Sequence, residues 1–337
     1  MREALFYEKK KENTIACMLC PKKCVIREGR TGLCRVRENR GGTLYALNYG
    51  ACSSCSVDPM EKKPLYHFYP AHTILSFGTY GCNLRCCFCQ NWEIAHGSPP
   101  VVTISPERVV EMVKAQGRRC AGVAYTYSEP VVWYEFIHDA SRLVEEAGFK
   151  NVLVTNGMIN EGPLRELLPY IHALNIDVKS FRDEYYVKYC AGRLRPVLKT
   201  VELARERCHV EVTTLIVTGL NDSEEELREL VAWLAGIDPD IPLHFSRYFP
   251  NFELDLPPTP LDTLYRAREI ARERLNYIYL GNVWDETAGN TFCPACGAVV
   301  IRREGYRVRR MALKDGRCTE CGRAIPIVGT IWEEHNI

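Results

Sequence analysis

Gly78-Thr-Tyr-Gly-Cys82-Asn-Leu-Arg-Cys86-Cys-Phe-Cys89-Gln-Asn-Trp92 overlaps the end of an apolar run, residues 74–79, that reads as a β-strand. Each iron of a cubane [4Fe–4S] cluster ordinarily takes one thiolate. Cys82, Cys86 and Cys89, at steps of four and three, therefore suit three irons from one loop and leave the fourth open to a chelating ligand. The same trio also suits part of a zinc site, or three corners of an electron-transfer cluster. A Cys-x-x-x-Cys-x-aromatic-Cys order directly after a strand is far more specific to the first reading than an isolated Cys-x-x-Cys. Cys87 is a poor ligand candidate, because adjacent residues do not readily face one iron corner; it reads as a small buried thiol.

Outward from this loop the chain alternates apolar strands with amphipathic helices. Strands are expected at 74–79, 122–127, 151–155, 174–179, 209–217 and 243–248, with a seventh candidate at 277–281. Helices are expected at 105–116, 131–147, 222–234 and 261–274. Ser105 before Pro106 is a natural helix start, and Gly148 a natural stop. Repeated units of this length imply a parallel sheet covered by helices, as a barrel or a doubly wound sheet. Reactive groups then belong at the carboxyl ends of the strands. Three segments are expected: a cysteine-rich stretch over 1–70, the α/β region over 71–284, and a second cysteine-rich module over 285–337.

Composition narrows the function classes. The 337 residues are 46% hydrophobic and 25% charged, an ordinary globular balance. Lys plus Arg number 43 against 42 Asp plus Glu, for a net charge of +1, which argues against nucleic acid as a partner. The stripe Arg302, Arg303, Arg307, Arg309 and Arg310 reads as a solvated face. Neither a spanning helix nor a signal peptide is visible near the start, so a cytoplasmic protein with no membrane partner is expected. Thiols stay reduced there, and 13 of the 17 cysteines fall in tight groups, which points to metal rather than disulfides.

The phrases DPMEKKPLYHFYP, GCNLRCCFCQNWEIAHG, YTYSEP, NIDVKSF, HFSRYFP and YLGNV resemble the AmmeMemoRadiSam-system radical S-adenosylmethionine (SAM) enzymes. These are relatives of the pyruvate formate-lyase type glycyl-radical-enzyme activases. The resemblance runs from about Cys17 to the last cysteine pair. It implies an α/β fold, a partial (β/α)6 radical SAM barrel. It also implies one SAM-ligated [4Fe–4S] cluster, a low-potential electron donor, and reductive cleavage of SAM to a 5′-deoxyadenosyl radical. The substrate it suggests is a protein or peptide, with a small molecule as the alternative; a non-enzymatic metal scaffold is the reading furthest from it. Memo-like and AMMECR-domain proteins are the partners it suggests.

By the same resemblance Glu129, after the second strand, is an acceptor for the SAM amino group, a charge-assisted contact. The bland reading of Glu129 is a helix start before Pro130. Asn156 is a further cofactor contact, and Asp177 and Lys179 match an Asp-x-Lys pair near SAM or substrate, taken as catalytic. The activases carry an aspartate where this chain has Val154, which removes that carboxylate. His244 suits a carboxylate or ribose contact or, equally, a satisfied core histidine. His244 and Arg247 differ by three and so face opposite sides of a strand.

Cys293-Pro-Ala-Cys296 and Cys318-Thr-Glu-Cys321 read as two facing knuckles of a zinc-ribbon or rubredoxin-like module holding Zn²⁺ or iron. Cys17, Cys20, Cys24 and Cys34 read as a second, structural metal site of zinc or an auxiliary cluster. Cys52 and Cys55 bind metal with a neighbour or pack.

Overall fold

A computed structural model describes residues 1–332. Its main sheet has eight strands: β1 (Ser54–Pro59), β2 (Thr73–Gly78), β3 (Cys120–Tyr125), β4 (Lys150–Thr155), β5 (Ala173–Asp177), β6 (His209–Ile216), β7 (Leu243–Arg247) and β8 (Ile278–Gly281). The ladder runs β8-β7-β6-β5-β4-β3-β2-β1. All neighbours from β2 to β8 pair in parallel, and β1 pairs antiparallel to β2. The six expected strands are present, the seventh candidate extends the ladder, and an antiparallel edge strand completes it. Residues 54–59 of the expected N-terminal segment thus belong to the main sheet.

The strands are apolar on both faces because helices cover the outside. Val123, Val152, Leu174, Ile176, Val212, Leu243 and Phe245 are all buried. The covering helices present apolar positions at helical spacing, such as Phe136, Ile137, Ala140 and Val144 on Tyr134–Glu146, and Leu227, Leu230, Val231 and Leu234 on Glu224–Ile237. Ser105 caps Pro106–Lys114 by accepting the Arg108 amide at 3.2 Å. The expected 131–147 helix opens instead with a 3₁₀ turn, Pro130–Trp133.

Beyond the single turn Trp92–Ala95, three helices lie outside the sequence expectation: Glu161–Leu167, Asp183–Cys190 and Leu194–Arg205. The first two are short. The third carries Pro196, which looks like a breaker but sits in the first turn, where its missing amide costs nothing.

Beneath the strands lies a polar floor. Glu211 accepts from His209 and His244 at 2.9 and 2.6 Å, and His67 pairs with the Tyr279 hydroxyl at 2.6 Å. Arg303 reaches this floor fully buried, donating to Tyr66 O at 2.7 Å and Thr291 Oγ1 at 2.8 Å, with Glu61 at 3.5 Å. The sequence reading of Arg303 as part of a solvated stripe is therefore corrected. Its neighbours Arg302, Arg307 and Arg309 are exposed. A three-stranded sheet of Thr291–Phe292, Val299–Glu304 and Arg307–Met311 carries Arg303, and Val300, Cys293, Cys318 and Ile325 pack with Tyr66, Tyr277 and Tyr279. Among the described residues no helix is long and apolar enough to cross a membrane.

Candidate active site

The carboxyl ends of β2 through β7 converge on one cavity of about 240 Å³. Cys82, Cys86 and Cys89 line it from the loop after β2, and Thr126 to Glu129 from the loop after β3. Asn156 follows β4, Asp177 and Lys179 lie at and after the end of β5, and Thr213 and Ser246 come from β6 and β7. This is where a parallel α/β sheet places its chemistry, since strand ends leave a crevice that connecting loops can furnish.

The cysteine loop is held from outside the cavity. Arg85 N donates to Cys190 O and Cys87 N to Tyr189 O, each at 2.9 Å, and Glu253 N donates to Cys87 O at 2.8 Å. Cys87 bonds through its backbone and does not line the cavity, but its thiol is half-buried where a buried one was expected. Gly81, with φ of +91°, has no room for a side chain: a Cβ would stand 2.7 Å from Cys34 O. The N-terminal segment is thus packed directly against the residue that precedes Cys82. Cys190 is fully buried beside Cys86, and its thiol favours the Cys86 thiolate against the effect of burial.

Glu129 caps the turn that starts at Pro130, one of its two sequence readings, and it also lines the cavity. Its Oε1 accepts the Val131 amide at 3.0 Å, capping the 3₁₀ turn, and the Thr155 hydroxyl at 2.6 Å. Oε2 accepts the Asn156 amide at 2.8 Å. Burial nevertheless pushes its pKa up to about 7, against these hydrogen bonds. Gly157, at φ +71°, makes the turn that presents Asn156. The Asn156 Nδ2 donates to Asn83 Oδ1 at 2.9 Å and lies 3.6 Å from Cys82 Sγ. Lys179 is paired with Asp177 at 2.7 Å; burial opposes its charge, but Asp177 and the Cys86 and Cys190 sulfurs raise its pKa.

His244 is the candidate that the structure does not bring to the cavity. It points inward two residues below Ser246, bonds Glu211, and stacks on Tyr279 at 5.0 Å. The satisfied core histidine, one of its two sequence readings, is what the fold shows. Thr126, Thr155, Thr213 and Ser246 were missed by sequence reading. For Thr213 and Ser246 the signal was strand parity, since they stand two residues beyond Glu211 and His244 on the inward face. Val154 also lines the cavity, so no carboxylate enters from that position.

Outside the cavity, the Sγ atoms of Cys293 and Cys321 lie 3.5 Å apart, and those of Cys296 and Cys318 3.7 Å. All four fall within 4.8 Å of one another. Zinc–thiolate bonds of about 2.3 Å in a tetrahedron put sulfurs roughly 3.8 Å apart, so these four can share one metal ion. The knuckles repeat each other: Gly297 N donates to Cys293 O and Gly322 N to Cys318 O, both at 2.9 Å. Cys17, Cys20, Cys24 and Cys34 line a separate small void. Cys52 is buried with its thiol on Ser54 O at 3.2 Å, and Cys55 is exposed on β1. All 17 cysteines are free of disulfides.

Residues 77–234, which hold the cysteine loop and most of the cavity wall, match the model of the Radical SAM superfamily. An uncharacterized protein of Methanocaldococcus jannaschii is 44% identical over 337 residues, spanning 97% of this chain and all of that one. The chain belongs to the radical SAM superfamily. This radical SAM chain is also related to the activases: it is 28% identical over 162 residues to the pyruvate formate-lyase-activating enzyme of Clostridium pasteurianum, covering 47% of this chain and 67% of that one. The corresponding Escherichia coli K12 enzyme is 24% identical over 156 residues, covering 44% and 63%. In fold, it resembles Streptococcus suis SuiB bound to SAM (TM-score 0.50, 17% identity, 66% of this chain and 53% of that one). It also resembles a radical SAM methyltransferase from Sphaerobacter thermophilus (TM-score 0.50, 18% identity, 63% and 67%). The protein is a radical SAM enzyme, and the cofactors of its family are a [4Fe–4S] cluster and SAM.

Proposed function

We propose that Cys82, Cys86 and Cys89 bind three irons of a [4Fe–4S] cluster and leave the fourth for SAM. The donor set fits. The cavity is lined by three soft thiols from one loop, together with a carboxyl of raised pKa and a partly buried ammonium. With cluster and SAM bound, the site supplies reductive cleavage of SAM to methionine and a 5′-deoxyadenosyl radical, which takes hydrogen from the substrate.

The chain's own residues bind and orient. Glu129 accepts the SAM ammonium alongside its three backbone and hydroxyl donors. Asn156 fixes the Cys82 side of the loop and offers its amide to the ligand. Asp177 and Lys179 form the catalytic pair facing the substrate side, with Lys179 held charged. The single observation that carries this reading is the convergence of the three thiols and Glu129 on one cavity at the strand ends.

Kinship with the activases supports a protein or peptide substrate reduced through a low-potential donor, with a biosynthetic small molecule as the second reading. We also place the enzyme in the cytoplasm, with Memo-like and AMMECR-domain proteins as functional partners. We read three parts, 1–70, 71–284 and 285–337, the last a zinc-ribbon-like module, with residues 54–59 of the first lent to the main sheet. Anaerobic reconstitution with iron and sulfide, then dithionite reduction with and without SAM, tests the reading. A SAM-perturbed [4Fe–4S]⁺ resonance and 5′-deoxyadenosine formation are expected, and both vanish in a Cys82/Cys86/Cys89 triple alanine variant. Iron binding with neither SAM response nor cleavage overturns it.

A further inference from the structure

We propose that Cys17, Cys20, Cys24 and Cys34 form a second iron–sulfur site, built against the cysteine loop of the active site, and not a mononuclear zinc site. The four come from three separate pieces of chain: the end of the strand Ile15–Cys17, the turn over residues 20–24, and the segment after Gly32. They enclose one narrow void of about 20 Å³.

The C-terminal site shows what this chain builds for one ion. There two Cys-x-x-Cys knuckles, each closed by a glycine of positive φ (Gly297 at +74° and Gly322 at +77°), bring all four sulfurs within 4.8 Å. Among the described residues the N-terminal four do not form such a group, although they share a void. They also lack the second knuckle, since Cys34 arrives alone. Thiolates on a cubane bind four different irons and stand further apart than thiolates on one ion.

A second observation points to a sulfur-rich anion in this void. Arg37 lines it with its guanidinium buried. Its Nη1 and Nη2 are taken by Glu135 at 2.9 and 2.7 Å, but its Nε has no partner. A buried, unpartnered N–H is costly unless an acceptor arrives, and cluster sulfurs and thiolates are such acceptors.

The site adjoins the active cavity. Cys34 O touches the place a Cβ on Gly81 would occupy, and Arg35 donates to Ala95 O at 3.0 Å. Asn83 lines the N-terminal void and accepts from Asn156, which lies on the active cavity.

The test is acid-labile sulfide, which mononuclear iron or zinc does not carry. The full chain is reconstituted anaerobically with iron and sulfide in three forms: wild type, the Cys82/Cys86/Cys89 triple alanine variant, and that variant with Cys20→Ala and Cys34→Ala added. The triple variant, whose N-terminal cysteines are intact, should keep about half of the wild-type sulfide and show a [4Fe–4S]⁺ resonance that SAM does not alter. The added pair should remove it. Should the five-fold variant fail to fold, the triple variant still decides. No labile sulfide in the triple variant, with either a second zinc per chain or no further metal, overturns the proposal. Neither result bears on whether wild type cleaves SAM, so the two readings fail separately.

Discussion

Cys293, Cys296, Cys318 and Cys321 close to within 4.8 Å on a module that packs against the floor of the sheet, and two of the four are exposed. Cys17, Cys20, Cys24 and Cys34 stay wider, around a void that backs onto the active-site loop. Each region is tied down by one buried arginine: Arg303 meets Glu61, just after the edge strand β1, at 3.5 Å at the C-terminal end, and Arg37 meets Glu135 of the α/β region at 2.7 Å at the N-terminal end. Equal counts of cysteine therefore stand in different surroundings. The C-terminal four lie on a small module, whereas the N-terminal four sit one hydrogen-bond step, Asn83 to Asn156, from the active cavity.

The largest effect expected from this contrast is at the C-terminal site. Structural zinc contributes on the order of 10 kcal/mol in small metal-folded modules. Cys296→Ser with Cys321→Ser should lose one metal ion per chain and expose residues 291–325 to limited proteolysis. The SAM-altered resonance of the active site should persist. If the module keeps its protease protection without metal, the sheet floor and not the ion holds it, and the contrast between the two ends collapses.

Next come the fastenings. Removing one partner of a buried ion pair leaves an uncompensated charge, at a cost of about 3–5 kcal/mol. Arg37→Ala should reach that range in urea denaturation, because Glu135 is 3% exposed and loses both of its bonds to the guanidinium. A compensating Arg37→Met with Glu135→Leu pair should recover much of it. Arg303→Ala should cost a similar amount and preferentially loosen the C-terminal module, since Tyr66, Gly289 and Thr291 lose donors together. Equal loosening of both ends by either variant would show that the regions are not independently fastened.

What sequence could and could not show follows the same line. The Cys82–Cys89 loop was legible because its spacing is local and a strand fixes where it points. The knuckles were legible because their geometry is set within four residues each. Cys190 was not: it stood alone in sequence, and only the helix Asp183–Cys190, ending on Ala191 with φ of +50°, turns it onto Cys86. Arg303 was misread because a run of arginines on a strand looks solvated, although alternation sends every second side chain inward. His244 had the correct inward parity but the wrong depth, which depends on where along β7 the cavity begins. The difference in sulfur separation between the two outer cysteine groups is tertiary, and spacing along the chain does not encode it.

A smaller effect probes the N-terminal side through Glu129. Charge-assisted hydrogen bonds contribute roughly 1.5–3 kcal/mol, so Glu129→Gln should weaken SAM binding to the reconstituted protein at least tenfold. Because the unliganded carboxyl titrates near 7, bound cation favours its ionised form and releases a proton. The wild-type dissociation constant should therefore rise as pH falls below about 7, approaching tenfold per unit, and be flat in the variant. An equally steep pH dependence in Glu129→Gln would assign the ammonium contact elsewhere.

The smallest effect belongs to the C-terminal side of the floor. His67 is fully buried between Glu211, Tyr277, Tyr279 and Pro326 O, and burial lowers its pKa from 6.5 to about 3, with nearby His209 and Arg303 also disfavouring charge. A depressed histidine pKa stabilises the fold above the unfolded value of 6.5, and that contribution is lost as pH falls from there toward 3. At pH 5.5 one such group costs about 1.4 kcal/mol relative to neutral pH. Urea midpoints measured at pH 7.5 and 5.5 should fall accordingly. His67→Gln, which can still donate to Pro326 O or meet the Tyr279 hydroxyl, should show a drop smaller by close to one proton's worth. Because His67 is the link that joins the C-terminal residue Pro326 to the floor, an unchanged slope would mean that this end titrates open before the floor does, with the module peeling away while the sheet stays folded.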